Sequence, residues 1–247
     1  MRQAPAGAQA ALRAIRLLKV FSPERSEMAL KEICEILELK RTTTHRLLAA
    51  LESEAMIERD PLSGRYRLGA GVMALGAQAF RSSDLRESLR PVIEELAKET
   101  GETATLEILV DRQTMILDEA PGSHLVSASG HIGTRWPLHA TATGKIMLAF
   151  ASEPGLLIPE PLEQCADATI TDPHRLLEDL EKIRQQGYAI TVDELDGDFS
   201  AVAAPVRGPF GAVDGVVSVG GPSSRLTPAR LAELGPHIRA RAAARLV

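Results

Sequence analysis

Two helical apolar stripes, joined by three residues and followed by an arginine-bearing hairpin, constrain this chain more than any other feature. In Ala29-Leu30-Lys31-Glu32-Ile33-Cys34-Glu35-Ile36-Leu37, the residues Leu30, Ile33, Cys34 and Leu37 recur at i, i+3, i+4 and i+7. They make one side of a helix, with Lys31, Glu32, Glu35 and Glu38 outside it. After Glu38-Leu39-Lys40 the spacing repeats in Thr44, Leu47, Leu48 and Leu51. The opposite face of that second helix carries Arg41, Thr42, Thr43, His45 and Arg46, with Lys40 just ahead. These are short or cationic hydrogen-bonding side chains, suited to base edges and phosphates.

The stretches 56–60 and 65–68 are strand-like and flank Pro61-Leu62-Ser63-Gly64, a turn sequence. Arg65 and Arg67 share a strand face by the period of two, and Arg59 joins them; all three are expected on phosphates or in a minor groove. A helix over 11–21 is expected to add Leu12, Ile15, Leu18 and Val20 to the same small core. Residues 29–68 thus read as a winged helix-turn-helix, which places one helix in the major groove of double-stranded DNA.

Charge divides the chain in the same way. Residues 1–67 carry a net +3 and the remainder −8, within a total of −5. Only the first part is attracted to a polyanion. Aromatic residues, at 3%, are too few for single-strand binding by base stacking. No apolar run approaches the ~20 residues that span a bilayer, and the first residues lack a signal-peptide apolar stretch. The two cysteines, Cys34 and Cys165, lie far apart, and Cys34 sits on a helical stripe. Reduced thiols, a cytoplasmic location and no membrane partner follow as expectations.

Beyond the wing, a helix over 71–82 presents Val72, Leu75, Gly76 and Ala79 and reads as a linker. Another over 84–100 contains Pro91, which either kinks it or starts a new segment. From 102 the period changes to two. Strands are expected at 103–110, 115–119, 125–129, 188–192, 201–207 and 213–219. Helices are expected at 143–151, at 174–186 behind Asp172-Pro173, and after Thr227-Pro228. The fold class is α+β: a winged helix-turn-helix (1–68), a linker helix (69–82) and an α/β sensor-like domain (83–247).

The usual catalytic constellations are absent from the sequence. Gly144-Lys145 is no phosphate loop, because position 139 is His and position 146 is Ile. Ser200 lacks a Gly-x-Ser-x-Gly elbow. His139 reads as a structural hydrogen-bonder, and the spacing of His124 and His131 fits no established metal motif. The cluster Asp193, Glu194, Asp196, Asp198 reads as a solvated loop, with pocket closure as its other reading. No cofactor, metal or catalytic residue is expected.

Several segments together resemble one family. They are Trp136-Pro137-Leu138-His139-Ala140-Thr141-Ala142-Thr143-Gly144-Lys145, Gln186-Gly187-Tyr188 leading to Asp193-Glu194, Val202-Ala203-Ala204-Pro205-Val206, Ser218-Val219-Gly220-Gly221-Pro222 and Arg225-Leu226-Thr227. In this order, behind a winged helix, they resemble the IclR family of bacterial transcription regulators over nearly the whole chain. The resemblance implies a GAF-like effector domain, a homodimer or homotetramer, and control of DNA binding by a small organic acid. It places the effector on Ala142, Thr143, Thr191, Ala201, Ser218 and Gly220, with backbone N–H groups before Gly144-Lys145 taking a carboxylate. Family members usually carry Asp or Ser at the position of Thr191, a small residue such as Cys at Ala201 and Ser at Gly220. The differences here imply a roomier, less polar pocket, suited to an aromatic acid, with Leu106, Ile108, Leu117, Val126 and Trp136 also setting its volume. The competing reading is a small-molecule-binding enzyme with an accessory helical domain. The effector, the operator sequence, and repression or activation are not encoded in any motif above.

Overall fold

The structure is a computed structural model that describes residues 8–22, 25–81, 84–124, 131–208 and 211–243. Its chain separates into two compact units, Met1–Ser83 and Asp84–Val247.

The first unit contains helices α1 (Gln9–Leu18), α2 (Leu30–Leu37) and α3 (Arg41–Ser53), strands β1 (Ile57–Arg59) and β2 (Tyr66–Leu68), and helix α4 (Ala70–Arg81). At the start of α2 the Glu32 carboxylate accepts the Ala29 N–H, half of a capping box. At its end Glu38 adopts a left-handed conformation, φ 51°. That reversal leaves only Glu38, Leu39 and Lys40 between the two helices. Leu17, Met28, Ile33, Leu48, Ile57 and Tyr66 form the core, with Leu18, Val20, Leu30, Leu37, Leu47 and Leu51 packed on it. Of the residues expected from α1, Leu18 and Val20 pack on this core and Leu12 is half-buried, but Ile15 turns outward. Leu17 is fully buried, whereas Ile15 is 51% exposed.

The wing closes through an Asp60 turn. Its carboxylate accepts the N–H groups of Leu62 and Ser63 at 3.0 and 2.6 Å, and Gly64 takes φ 69°. Met28 and Tyr66 exchange both backbone hydrogen bonds, at 2.9 and 2.8 Å, which fastens the wing to the helices.

The second unit begins with α5 (Asp84–Thr100), β3 (Thr103–Val110), β4 (Gln113–Ala120) and β5 (Arg135–Pro137). Helix α6 (Ala142–Phe150), a 3₁₀ turn (Pro154–Leu156) and α7 (Pro173–Gln186) follow. Strands β6 (Ala189–Val192), β7 (Phe199–Arg207) and β8 (Val213–Pro222) lead to α8 (Pro228–Ala243). One antiparallel sheet runs β5-β4-β3-β8-β7-β6. Pro91 neither breaks nor divides α5, which is continuous across it; Leu89 and Ile93, on either side, are both fully buried. The expected strand 125–129 lies outside the described residues. Among the described residues, the sixth strand of the sheet is β5, a three-residue edge too short to show a period of two.

Both sheet faces are covered. Leu106, Val202, Ala204, Val217 and Val219 meet residues of α5 and α8, such as Leu89, Ile93, Leu231 and Ile238. Ala201, Ala203 and Val216 meet α6 and α7 on the other side, through Ile146, Leu148, Leu176 and Leu180. Small residues in β7 let both layers approach one strand. Gly144 permits a similar approach: a Cβ there would lie 2.3 Å from the Leu138 carbonyl oxygen. Helix α6 is thereby held against the Leu138 backbone, with its N-terminus at the sheet.

Candidate DNA interface and effector cavity

On α3, Thr44 and Leu48 are buried, while Arg41, Thr42, His45 and Arg46 are exposed and Thr43 is half-buried. Lys40, just before the helix, is exposed too. Among the described residues, Lys40, Arg41, His45 and Arg46 make no ion pair. The helix therefore shows solvent a cationic face with its donors uncommitted.

The wing arginines differ. Arg65 Nη2 lies 2.9 Å from Glu32 and also donates to the Glu27 carbonyl at 3.0 Å, which ties the wing to α2. The Ala29 N–H, and then Arg65, hold the Glu32 carboxyl below its ordinary range. Arg67 faces its cross-strand neighbour Glu58 at 3.0 Å, with Glu27 at 3.7 Å. Arg59 lies over the Tyr66 ring, 5.8 Å from its centroid. A phosphate would compete with these internal partners, an arrangement the strand period alone does not disclose.

In the second unit, a cavity of about 220 Å³ opens at the N-terminus of α6. Ala142, Thr143, Thr191, Ala201, Ser218 and Gly220 all line it, so the structure brings six positions scattered over the sequence to one place. Thr103, Thr105, Glu107, Ile116, Trp136, Thr141, Leu195, Asp196 and Phe199 complete the wall. Of the further volume-setting residues expected, only Trp136 is in this wall. Leu106 belongs to the core under α5 and α8, Leu117 packs against the same core, Ile108 is half-buried outside the wall, and Val126 lies outside the described residues.

The expected roominess at Gly220 is taken up by an aromatic ring. A Cβ at that position would come within 2.8 Å of Phe199. Nor is the cavity poor in polar groups. Along β3, Thr103, Thr105 and Glu107 point inward by the period of two, while Ala104 and Leu106 point the other way. Thr105 Oγ1 lies 2.9 Å from Glu107 Oε1 and 2.8 Å from Ser218 Oγ. Thr143 donates to Glu107 Oε2 at 2.8 Å. Thr114 is also buried nearby, and its hydroxyl acts on Glu107 as those of Thr143 and Thr105 do. Burial pushes the Glu107 carboxyl above the ordinary range, against the pull of the threonine hydroxyls.

The helix end has the geometry of an anion site. Thr141 caps it, accepting the Gly144 N–H on its side chain at 3.1 Å and the Lys145 N–H on its carbonyl at 2.9 Å. The N–H groups of Ala142 and Thr143 precede Lys145, the first intrahelical donor, and face no partner in the helix. Lys145 is fully buried and turns away from the cavity wall, reaching Asp179 at 2.8 Å and Glu194 at 2.7 Å. Buried His139 sets Nε2 2.7 Å from the Glu163 carbonyl, a structural role. His124 and His131 approach different carboxylates, Glu102 at 3.8 Å and Glu119 at 3.7 Å.

Comparison with known proteins agrees with this architecture at both ends. Residues 10–61 match the IclR helix-turn-helix domain, and residues 77–245 match the bacterial transcriptional regulator IclR C-terminal domain. The transcriptional regulator BhcR of Paracoccus denitrificans is 34% identical over 94% of this chain and 84% of its own length. XynR of Escherichia coli is 30% identical over 94% of this chain and 93% of its own length. A crystal structure of a regulator from Silicibacter superposes with a TM-score of 0.87 at 27% identity, covering 96% of this chain and 94% of that one. An IclR homologue from Microbacterium hydrocarbonoxydans, complexed with 4-hydroxybenzoate, shares the fold with a TM-score of 0.80 at 24% identity, covering 96% and 99%. No helix among the described residues is long and apolar enough to cross a membrane. The chain belongs to the IclR family of bacterial transcription regulators, DNA-binding proteins rather than enzymes.

Proposed function

We infer that this regulator binds operator DNA through α3 and the wing, and that a small organic acid in the α6 cavity changes that binding. Residues 1–68 would form the DNA-binding domain, 69–82 the linker helix and 83–247 the effector domain. The DNA-contacting set is Lys40, Arg41, Thr42, Thr43, His45 and Arg46, with Arg59, Arg65 and Arg67 from the wing. Ala142, Thr143, Thr191, Ala201, Ser218 and Gly220 serve the effector. One observation carries the reading: these six positions converge on a single cavity at a capped helix N-terminus, where unsatisfied amides favour an anion. The 4-hydroxybenzoate held by a protein of the same fold supports an acid, and Trp136 and Phe199 support an aromatic one.

The protein would act in the cytoplasm as a homodimer or homotetramer. On α4, Met73 is 74% and Leu75 53% exposed, apolar surface of the kind that pairs between subunits. Ligand control then needs only that the acid bind one arrangement of the assembly better than another. A thermal-shift screen of small organic acids against the full-length protein tests the reading, because a true ligand stabilises by mass action. Hits must also alter binding to the intergenic DNA beside the gene. Acids that bind without changing DNA affinity would defeat the regulatory half of the proposal.

A further inference from the structure

Among the described residues, the cavity wall holds two carboxyl groups, Glu107 and Asp196, and no cation. Glu107 is the deeper, at 5% exposure, and its hydrogen bonds come from neutral hydroxyls. Each carboxylate oxygen has room for a second donor. With Thr105 donating to Glu107, the Ser218 hydroxyl donates to Thr105, so the protons of this chain run toward Glu107. Its end in the cavity is an acceptor. Thr103 adds a second unmet demand: its hydroxyl lines the same wall, is buried, and has no hydrogen-bond partner.

Glu107 also stands beside the anion site. Thr143 supplies both one of the uncommitted amides and the hydroxyl that holds Glu107, so the two recognition elements are one side chain apart. A carboxylate seated on the amides meets Glu107 with its neighbouring atom. A plain acid brings no donor there, and among the described residues no cation lines the wall beside Glu107. We propose that Glu107 makes the cavity selective for an acid carrying a hydroxyl or ammonium donor on the carbon next to its carboxylate. The carboxylate sits on the Ala142 and Thr143 amides, the donor on Glu107, and the remaining apolar group against Ile116, Trp136 and Phe199. The raised titration range of Glu107 comes from its burial, and a donor from the ligand would add to the threonine hydroxyls that oppose it.

This inference rests on the acid-effector reading, and one calorimetric experiment separates the two. The full-length protein is titrated with matched sets on one carbon skeleton: propionate, lactate and alanine; phenylacetate, mandelate and phenylglycine; 3-phenylpropionate, phenyllactate and phenylalanine. In at least one set, the hydroxy or amino member should bind about tenfold or more tighter than its unsubstituted parent, the size of one charge-assisted hydrogen bond. Glu107→Leu should abolish that preference and leave the parent acid binding. Glu107→Gln, close in shape, should keep a preference for hydroxyl and lose one for ammonium, which identifies the donor. Circular dichroism confirms that each variant is folded. Parent acids binding as tightly as the substituted ones, or a preference that survives Glu107→Leu, would overturn the role of Glu107 while leaving the acid-effector reading intact. Binding by none of the acids would overturn that reading and this one with it.

Discussion

Lys145 and Glu194 form an ion pair out of water: Nζ lies 2.7 Å from Oε1, and the lysine side chain is 1% exposed. Asp179 of α7 completes the arrangement at 2.8 Å. The pair joins the helix whose N-terminus opens on the cavity to the segment after β6, where Leu195 and Asp196 line the same cavity. Burial pushes the Glu194 carboxyl above its ordinary range, and the Lys145 charge opposes this.

Breaking such a pair from one side strands a buried charge. Lys145→Met is expected to destabilise the effector domain by roughly 3–5 kcal/mol. The double variant with Glu194→Gln should lose less than the two single losses added together, because the charge left behind is then also removed. Urea denaturation of the four proteins measures the coupling, and strict additivity would show that the two groups act independently.

Exposed cations on α3 should matter for DNA and not for folding. Arg46→Ala and Arg41→Ala are each expected to weaken operator binding by roughly 1–3 kcal/mol if they read a base. A phosphate contact would instead lower the salt dependence of binding by about one unit of slope. Thermal unfolding should match the parent in both. Titrations at several salt concentrations distinguish the two roles, and unchanged affinity in both variants would remove α3 from the interface.

In the wing, Glu58 holds the Arg67 guanidinium, and a phosphate bound by Arg67 would have to displace it. Glu58→Gln should free the guanidinium and tighten DNA binding a few-fold, most at low salt, where phosphate attraction is least screened. Fluorescence anisotropy against the same DNA gives the answer; weaker binding would mean that the pair positions Arg67 rather than restrains it.

The Glu107 carboxyl predicts a pH dependence with a defined sign. Unfolded, it titrates near 4.5; folded, its range is raised by burial. The folded state therefore holds its proton more tightly. Any stability from that difference is complete below the unfolded value and is lost as pH rises through the folded one. Glu107→Gln cannot titrate, so its stability should gain on that of the parent as pH climbs from the acidic side. Parallel melting curves across this window would show that Glu107 titrates alike in both states.

Local periodicity carried much of the first unit. The stripes through Ile33 and Leu48 identified the inner faces of α2 and α3, because each depends on neighbours a turn away. Where the partner is distant the sequence was less informative. Leu106 and Leu117 were expected in the cavity wall, yet both pack under α5 and α8. Alternation separates the two faces of a strand but does not say which borders a cavity, and in this sheet both faces are covered. Glu107 went unremarked because a glutamate in a strand ordinarily faces water. The signal was present in Thr103-Ala104-Thr105-Leu106-Glu107, three polar residues in alternation on a strand between two others. The partner Arg65 finds in Glu32, 33 residues away, has no local signature at all.

The account stands most directly on anisotropy titrations of the labelled upstream intergenic DNA, with and without an acid identified by thermal shift. The parent protein should bind this DNA and change its affinity when the acid is added. Arg46→Ala should bind the acid normally and the DNA poorly, whereas Ser218→Ala should bind the DNA normally and respond less to the acid. A parent protein whose DNA affinity is the same at every concentration of a bound acid would contradict the account.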